Sequence, residues 1–217
     1  MRILAIDTAL GRVAACVMDD SEEEPLAMES ETMERGHAEA LIPLLDRVVA
    51  QVDGGLPSID RVAVTVGPGS FTGIRIGISA AKAIALARGI PVVGVSTLAA
   101  FAAPLIVAGL DGVVAAAMAA RGGQIYLAAF AQGGRPLFEP KVTEPHAGRR
   151  SLGEGPLHLI GPAAVLLTDD TALRDAAVST CLATPLPDMA FVARLGLVAE
   201  ARTAPPEPLY IAPPYTG

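Results

Sequence analysis

The stretch from Val62 to Gly77 constrains the fold more than any other part of this chain. Val62 to Val66 have the composition of a buried strand, and they run through a glycine-rich turn straight into an apolar helical pattern. Gly67, Gly69 and Gly73 allow positive φ and close backbone approach, while the helix after them offers unpaired N–H groups to an anion or to another chain segment. The spacing G-x-G-x-x-x-G departs from the dinucleotide fingerprint, and the Gly-Lys-Ser/Thr ending of a P-loop is missing. Two readings of the turn therefore stay open: a nucleotide-facing loop, or a tight connection in which glycines let helix and sheet meet.

The remaining chain reads as two similar halves. Residues 2 to 7 and 13 to 18 form a hairpin, followed by the acidic turn Asp19 to Pro25 and an edge strand from Leu26 to Thr32. A helix spans His37 to Val52, with a kink or restart expected at Pro43. Strand 59 to 66, the helix from Phe71 or Thr72 to Ala87, strand 91 to 95 and a helix from Ser96 to Val107 complete the first half. Strands at 112 to 118, 124 to 130 and 136 to 143 repeat the opening meander, followed by strands at 157 to 160 and 176 to 181 and helical stretches at 162 to 167 and 189 to 201. The layout predicts an α/β chain of duplicated β-meander-plus-αβα halves, divided as 1–106 and 107–217, with the Pro-rich tail 205–214 extended on a surface.

At 217 residues and 52% hydrophobic composition the chain can bury a substantial core without staples. Cys16 and Cys181 are too few for a disulfide framework, and Cys16 reads as a buried core residue in a reduced compartment. A net charge of −7, from 16 basic and 23 acidic residues, opposes autonomous binding to a phosphate backbone, and the absence of Trp leaves little material for base stacking. The uncharged run Ile90 to Leu110 is punctuated by Pro91, Gly94, Pro104 and Gly109, which argues against a membrane span, and the N-terminus meets Asp7 without an apolar leader, so a cytoplasmic protein is expected.

Few residues offer catalytic chemistry. Asp7-Thr8 ends the first strand where a phosphotransfer fold would put a phosphate- and metal-facing turn, although an Asp there also serves as a turn cap. His37, His146 and His158 have no ligand-type neighbours at one-face spacing, so no metal site is expected. Ser70 lacks a G-x-S-x-G elbow and an assignable base, which favours a capping role. On the second long helix Arg75, Ser79 and Lys82 make a narrow polar stripe, and apolar residues cover the rest. Such excess is explained either by burial within the chain or by a second body.

Three segments carry a resemblance: Met1 to Ala9, Gly36 to Leu45, and Gly67 to Gly77. Their order and spacing are similar to those of the bacterial TsaB (YeaZ) family, with weaker likeness through Gly94 to Leu98, Arg121 to Tyr126 and Pro208 to Tyr210. The resemblance implies a two-lobed actin-like ATPase (ASKHA, ribonuclease H-like) fold. It also implies a non-catalytic scaffold that pairs with TsaD, and with the ATPase TsaE, in transferring threonylcarbamoyl from threonylcarbamoyl-adenylate to the adenosine 3′ of the tRNA anticodon. Where TsaD is implied to bind metal through His-x-x-x-His, this chain has Thr97 to Phe101, and Ala119 stands where relatives often carry Asp. No catalytic residue, metal or cofactor of its own is then expected; ATP and a divalent metal belong to the partners, and tRNA is reached only through the complex. The expected docking face comprises Leu41, Leu45, Val48, Ile74, Arg75, Ile78, Lys82 and Ala83, with self-association as an alternative use. Asp7, Thr8, Gly67, Pro68, Gly69, Ser70, Phe71, Thr72 and Gly73 stay either nucleotide-facing or structural. An ATP-dependent small-molecule kinase and a peptidase of the same superfamily are the competing readings.

Overall fold

A computed structural model describes residues 1–168 and 178–211. Ala176 and Ala177 of an expected strand, and Ala212, Pro213 and Pro214 of the expected extended tail, lie outside the described residues. Two units emerge, residues 1–97 with 188–209, and residues 98–187 with 210–217.

In the first unit β1 (Arg2–Asp7), β2 (Arg12–Asp19), β3 (Ala27–Thr32), β4 (Arg61–Gly67) and β5 (Val92–Ser96) form one sheet in the order β3-β2-β1-β4-β5. The meander is antiparallel and β1, β4 and β5 run parallel. Almost every residue of β1, β2 and β4 is buried, as expected of strands covered on both faces. One face carries α1 (His37–Ala50) and α2 (Phe71–Arg88), whose buried Leu41, Leu44, Leu45, Val48, Ile74, Ile78, Ala81 and Ala85 join the sheet residues in one core. The restart expected as one outcome at Pro43 does not occur. α1 continues through Pro43 as one element, because the ring lies on an exposed side where the carbonyl it displaces can meet water.

The second unit repeats the topology with β6 (Val113–Ala119), β7 (Ile125–Phe130), β8 (Lys141–Thr143), β9 (Leu157–Ile160) and β10 (Val178–Leu182) in the order β10-β9-β6-β7-β8. Only the last three residues of the expected strand 136–143 pair as a strand, and its start makes a single bridge from Phe130 to Pro136. A short helix α4 (Pro145–Arg150), unforeseen from the sequence, holds the place that α1 holds in the first unit. The stretch 164–167 is a 3-10 turn. β5 is followed by α3 (Thr97–Val107), an apolar helix with Leu98, Phe101 and Ala102 fully buried. No helix among the described residues is long and apolar enough to cross a membrane.

The contiguous division at 106/107 is corrected by α5 (Met189–Val198). This helix returns to pack on β1, β2, β4 and β5 of the first unit, on the face away from α1 and α2. Two residues fix it there. Gly196 lies so close to Ala63 and Ile3 that an added Cβ would overlap Ala63 Cβ and sit 2.8 Å from Ile3 Cδ1. Arg61 Nη1 donates to the carbonyls of Gly196, Leu197 and Ala199 at 3.0, 3.0 and 2.9 Å, satisfying the end of the helix.

Two outcomes are expected. Gly196→Val should destabilise the protein by about 1–3 kcal/mol through overpacking, read as a lower urea midpoint with an unchanged slope. Burial pushes the Cys16 thiol up to about 12, with Asp188 adding to the shift. A thiol reagent at mildly alkaline pH should therefore titrate exposed Cys181 alone in the native protein and both cysteines after unfolding. Because the unfolded Cys16 ionises first, its contribution to stability falls as pH rises from the ordinary thiol value toward 12.

Candidate functional site

The two turns singled out in the sequence meet at the carboxyl end of the first sheet. Asp7 ends β1 and is wholly buried. Its Oδ2 accepts from Arg12 Nε at 2.9 Å and lies 2.9 Å from Arg12 Nη2, while Oδ1 accepts from Thr65 Oγ1 at 2.7 Å and from the Ala9 amide at 3.0 Å. Arg12 and Thr65 are buried as well, so the carboxylate is neutralised and hydrogen-bonded entirely within its own unit.

Next to it the glycine turn closes on the β1–β2 turn. Ser70 N donates to Ala9 O at 2.7 Å, and Thr8 Oγ1 donates to Gly73 O at 2.7 Å. A Cβ on Gly69 would overlap Ala9 O, and one on Gly73 would overlap Thr8 O. Ser70 caps α2, its hydroxyl oxygen accepting from Gly73 N at 3.2 Å. The carbonyls of Leu10 and Gly11 are occupied too, by His37 Nε2 at 3.1 Å and by Met33 N at 3.1 Å. The contacts of Asp7, Thr8, Gly69, Ser70 and Gly73 join strand, turn and helix within the unit. Phe71 and Thr72 differ, since both are exposed at the start of α2.

The expected docking residues also separate. Leu41, Leu45, Val48, Ile74 and Ile78 of the expected docking face are buried in the core of their own unit, because the apolar period of each helix faces the sheet first. Arg75, Lys82 and Ala83 are exposed. The surface beside them is a groove of about 480 Å³ between α1 and α2, lined by Ala38, Leu41, Ile42, Phe71, Thr72, Arg75, Ile76, Ser79 and Ala80. Arg75 stacks on the Phe71 ring, 3.7 Å from its centroid, which places a cation on a mostly apolar wall. Ile42 and Phe71 are each about half exposed, at 52% and 48%. The sequence signal for these two was present, as an apolar residue on the polar side of each helical period, but it was absorbed into the general excess of apolar residues.

Residues 29–143 match the family model "TsaD: tRNA N6-adenosine threonylcarbamoyltransferase", which is more than half of the chain. The chain is 33% identical over 144 residues to the tRNA threonylcarbamoyladenosine biosynthesis protein TsaB of Escherichia coli, covering 66% of this chain and 61% of that protein. The chain belongs to the TsaB (YeaZ) family. With TsaB of Buchnera aphidicola it shares 30% identity over 142 residues, 65% of this chain and 66% of the relative, so the chain spans about three-fifths to two-thirds of these relatives' length. YeaZ from Pseudomonas aeruginosa has the same fold, with a TM-score of 0.76 at 24% identity, covering 96% of this chain and 99% of that one. The duplicated actin-like architecture expected from the resemblance is thus the one observed.

No group of three or more His, Cys, Asp or Glu among the described residues could hold a metal ion. Thr97 and Phe101, standing where a His-x-x-x-His pair was compared, are both buried, and the Thr97 hydroxyl has no hydrogen-bond partner. His158 is likewise committed to the fold, its Nε2 donating to Asp111 O at 2.9 Å and its Nδ1 lying 3.1 Å from Thr180 Oγ1.

Removing one partner of the buried pair is the direct test of its role. Arg12→Met should cost about 3–5 kcal/mol, because it leaves the Asp7 charge buried with only Thr65 and one amide. The combined Arg12→Met, Asp7→Asn protein should regain much of that loss in the same urea titration.

Proposed function

We propose that this protein is a non-catalytic scaffold subunit that pairs with TsaD, and works with TsaE, in transferring threonylcarbamoyl from threonylcarbamoyl-adenylate to the adenosine 3′ of the tRNA anticodon. Its docking surface is the groove between α1 and α2. The observation that carries this reading is the contrast in the first unit between the turn after β1 and the neighbouring face of α1 and α2. Its phosphate-type turn is filled by its own Asp7–Arg12–Thr65 network, whereas its helical face leaves Ile42, Phe71 and Ile76 around an open apolar groove with one stacked cation. A surface of this composition resembles the centre of a protein interface, where aromatic and Arg side chains supply most of the binding energy.

A subunit in this role has no need of its own nucleotide or metal, and its acidic balance leaves tRNA contact to the partner's basic surface. The cytoplasm is where such a complex works. Self-association through the same groove would compete with TsaD for the face.

Co-elution with TsaD tests the proposal. Phe71→Ala and Ile42→Glu should each weaken the complex by tenfold or more while circular dichroism stays unchanged, since both side chains are half exposed. A folded Ile42→Glu protein that still binds TsaD normally would place the interface elsewhere. The isolated chain should form no threonylcarbamoyladenosine from purified intermediate and tRNA, and should bind tRNA only weakly at physiological salt. Turnover by the chain alone would overturn the scaffold role.

A further inference from the structure

After α5 the chain does not leave the first unit but crosses the carboxyl edge of its sheet. Ala204 O accepts from Gly94 N of β5 at 2.9 Å, and five residues later Leu209 N donates to Val66 O of β4 at 2.8 Å. The second bond meets a specific need. Pairing between β4 and β5 passes from Thr65/Val95 to Gly67/Ser96 and skips Val66, so the bulge takes the Val66 carbonyl out of the ladder. Leu209 supplies the donor, and its side chain packs against the core cluster that contains Ile74 of α2. Pro205, Pro206 and Pro208 stiffen the span between the two anchors and have no N–H of their own to satisfy.

Two glycines record how closely this strap is seated. A Cβ on Gly94 would lie 2.6 Å from Pro205 O and 2.7 Å from Val66 Cγ1. A Cβ on Gly67 would lie 2.9 Å from Ile74 Cδ1 and 3.4 Å from Leu209 O. Strap, bulge, Gly67 turn and the first turn of α2 are therefore in continuous contact. Phe71, Thr72, Arg75 and Ile76, which line one wall of the groove, stand on that first part of α2.

We infer that the segment Ala204–Leu209 is a positioning strap that fixes the β4 bulge and the entry of α2, and thereby sets the shape of the docking groove. This rests on the groove being the seat of TsaD. Leu209 and Gly94 are positioning residues: Leu209 meets the Gly67 turn, and Gly94 seats the strap on β5.

Hydrogen exchange on the full chain, followed by titration with TsaD, tests the inference. Leu209→Ser and Gly94→Ala should each accelerate exchange at the amides of Ser70, Gly73 and Ile74 by about tenfold, while Ala40 in α1 and Val192 in α5 stay protected. TsaD affinity should fall by a similar factor, and Leu209→Met should restore both. Unchanged exchange at Ser70, Gly73 and Ile74, in proteins whose Gly94 and Leu209 amides have become unprotected, would make the strap a passive cover and overturn the inference. So would a global rise in exchange that includes Val192. If exchange rises locally, Phe71→Ala separates the two ideas. TsaD binding that depends on Phe71 but not on Leu209 overturns the strap's role, whereas binding that ignores both residues overturns the docking reading and leaves the strap's hold on the turn standing.

Discussion

A single buried carboxylate organises the first unit. Asp7 ends the central strand β1, and its four hydrogen-bonding contacts reach β2 through Arg12, β4 through Thr65 and the following turn through Ala9. A charge in that position would be intolerable without all of them, which is why the three strands and the turn have only one mutual arrangement. The contrast with the surface network of Arg47, Glu29 and Glu31 decides which ion pairs matter: the latter holds α1 to β3 in full view of water, where screening and side-chain entropy remove most of its value.

From that centre the chemistry of the unit follows. The turn after β1 has its carbonyls at Thr8 to Gly11 approached or bonded by Gly73, Ser70, His37 and Met33, so its backbone is committed to contacts within its own unit. The same contacts hold α1 and α2 side by side. The two helices are thereby held at a fixed separation, with the groove between them.

The duplication is topological and not functional. Both sheets have the same strand order, yet the long helices α1 and α2 have as described counterparts only the six-residue α4 and a 3-10 turn. Covering the opposite face of the first sheet falls to α5, drawn from the end of the chain, and Arg61 and Gly196 show how specifically that return is built in. The first unit is therefore discontinuous in sequence, and the segment that completes it also supplies the strap across β4 and β5.

Periodicity and punctuation alone determined the strand-turn-helix order, the meander repeated in each half, the buried character of Cys16 and the capping role of Ser70, because each depends on neighbours within a few residues. The motif order Met1–Ala9, Gly36–Leu45 and Gly67–Gly77 also pointed to the family. Only the tertiary structure decided whether Asp7 faces a ligand or its own chain, since Arg12 and Thr65 reveal their purpose only when β2 and β4 flank β1. It likewise decided that Leu45, Val48, Ile74 and Ile78 are core while Ile42, Phe71 and Arg75 line the groove: an amphipathic pattern states that a helix has an apolar side, but not how much of it the sheet will cover. The assignment of α5 to the first unit was out of reach for the same reason. Packing between segments more than a hundred residues apart leaves no local periodic signal, only a glycine at 196 and an arginine at 61 whose meaning lies in each other's surroundings.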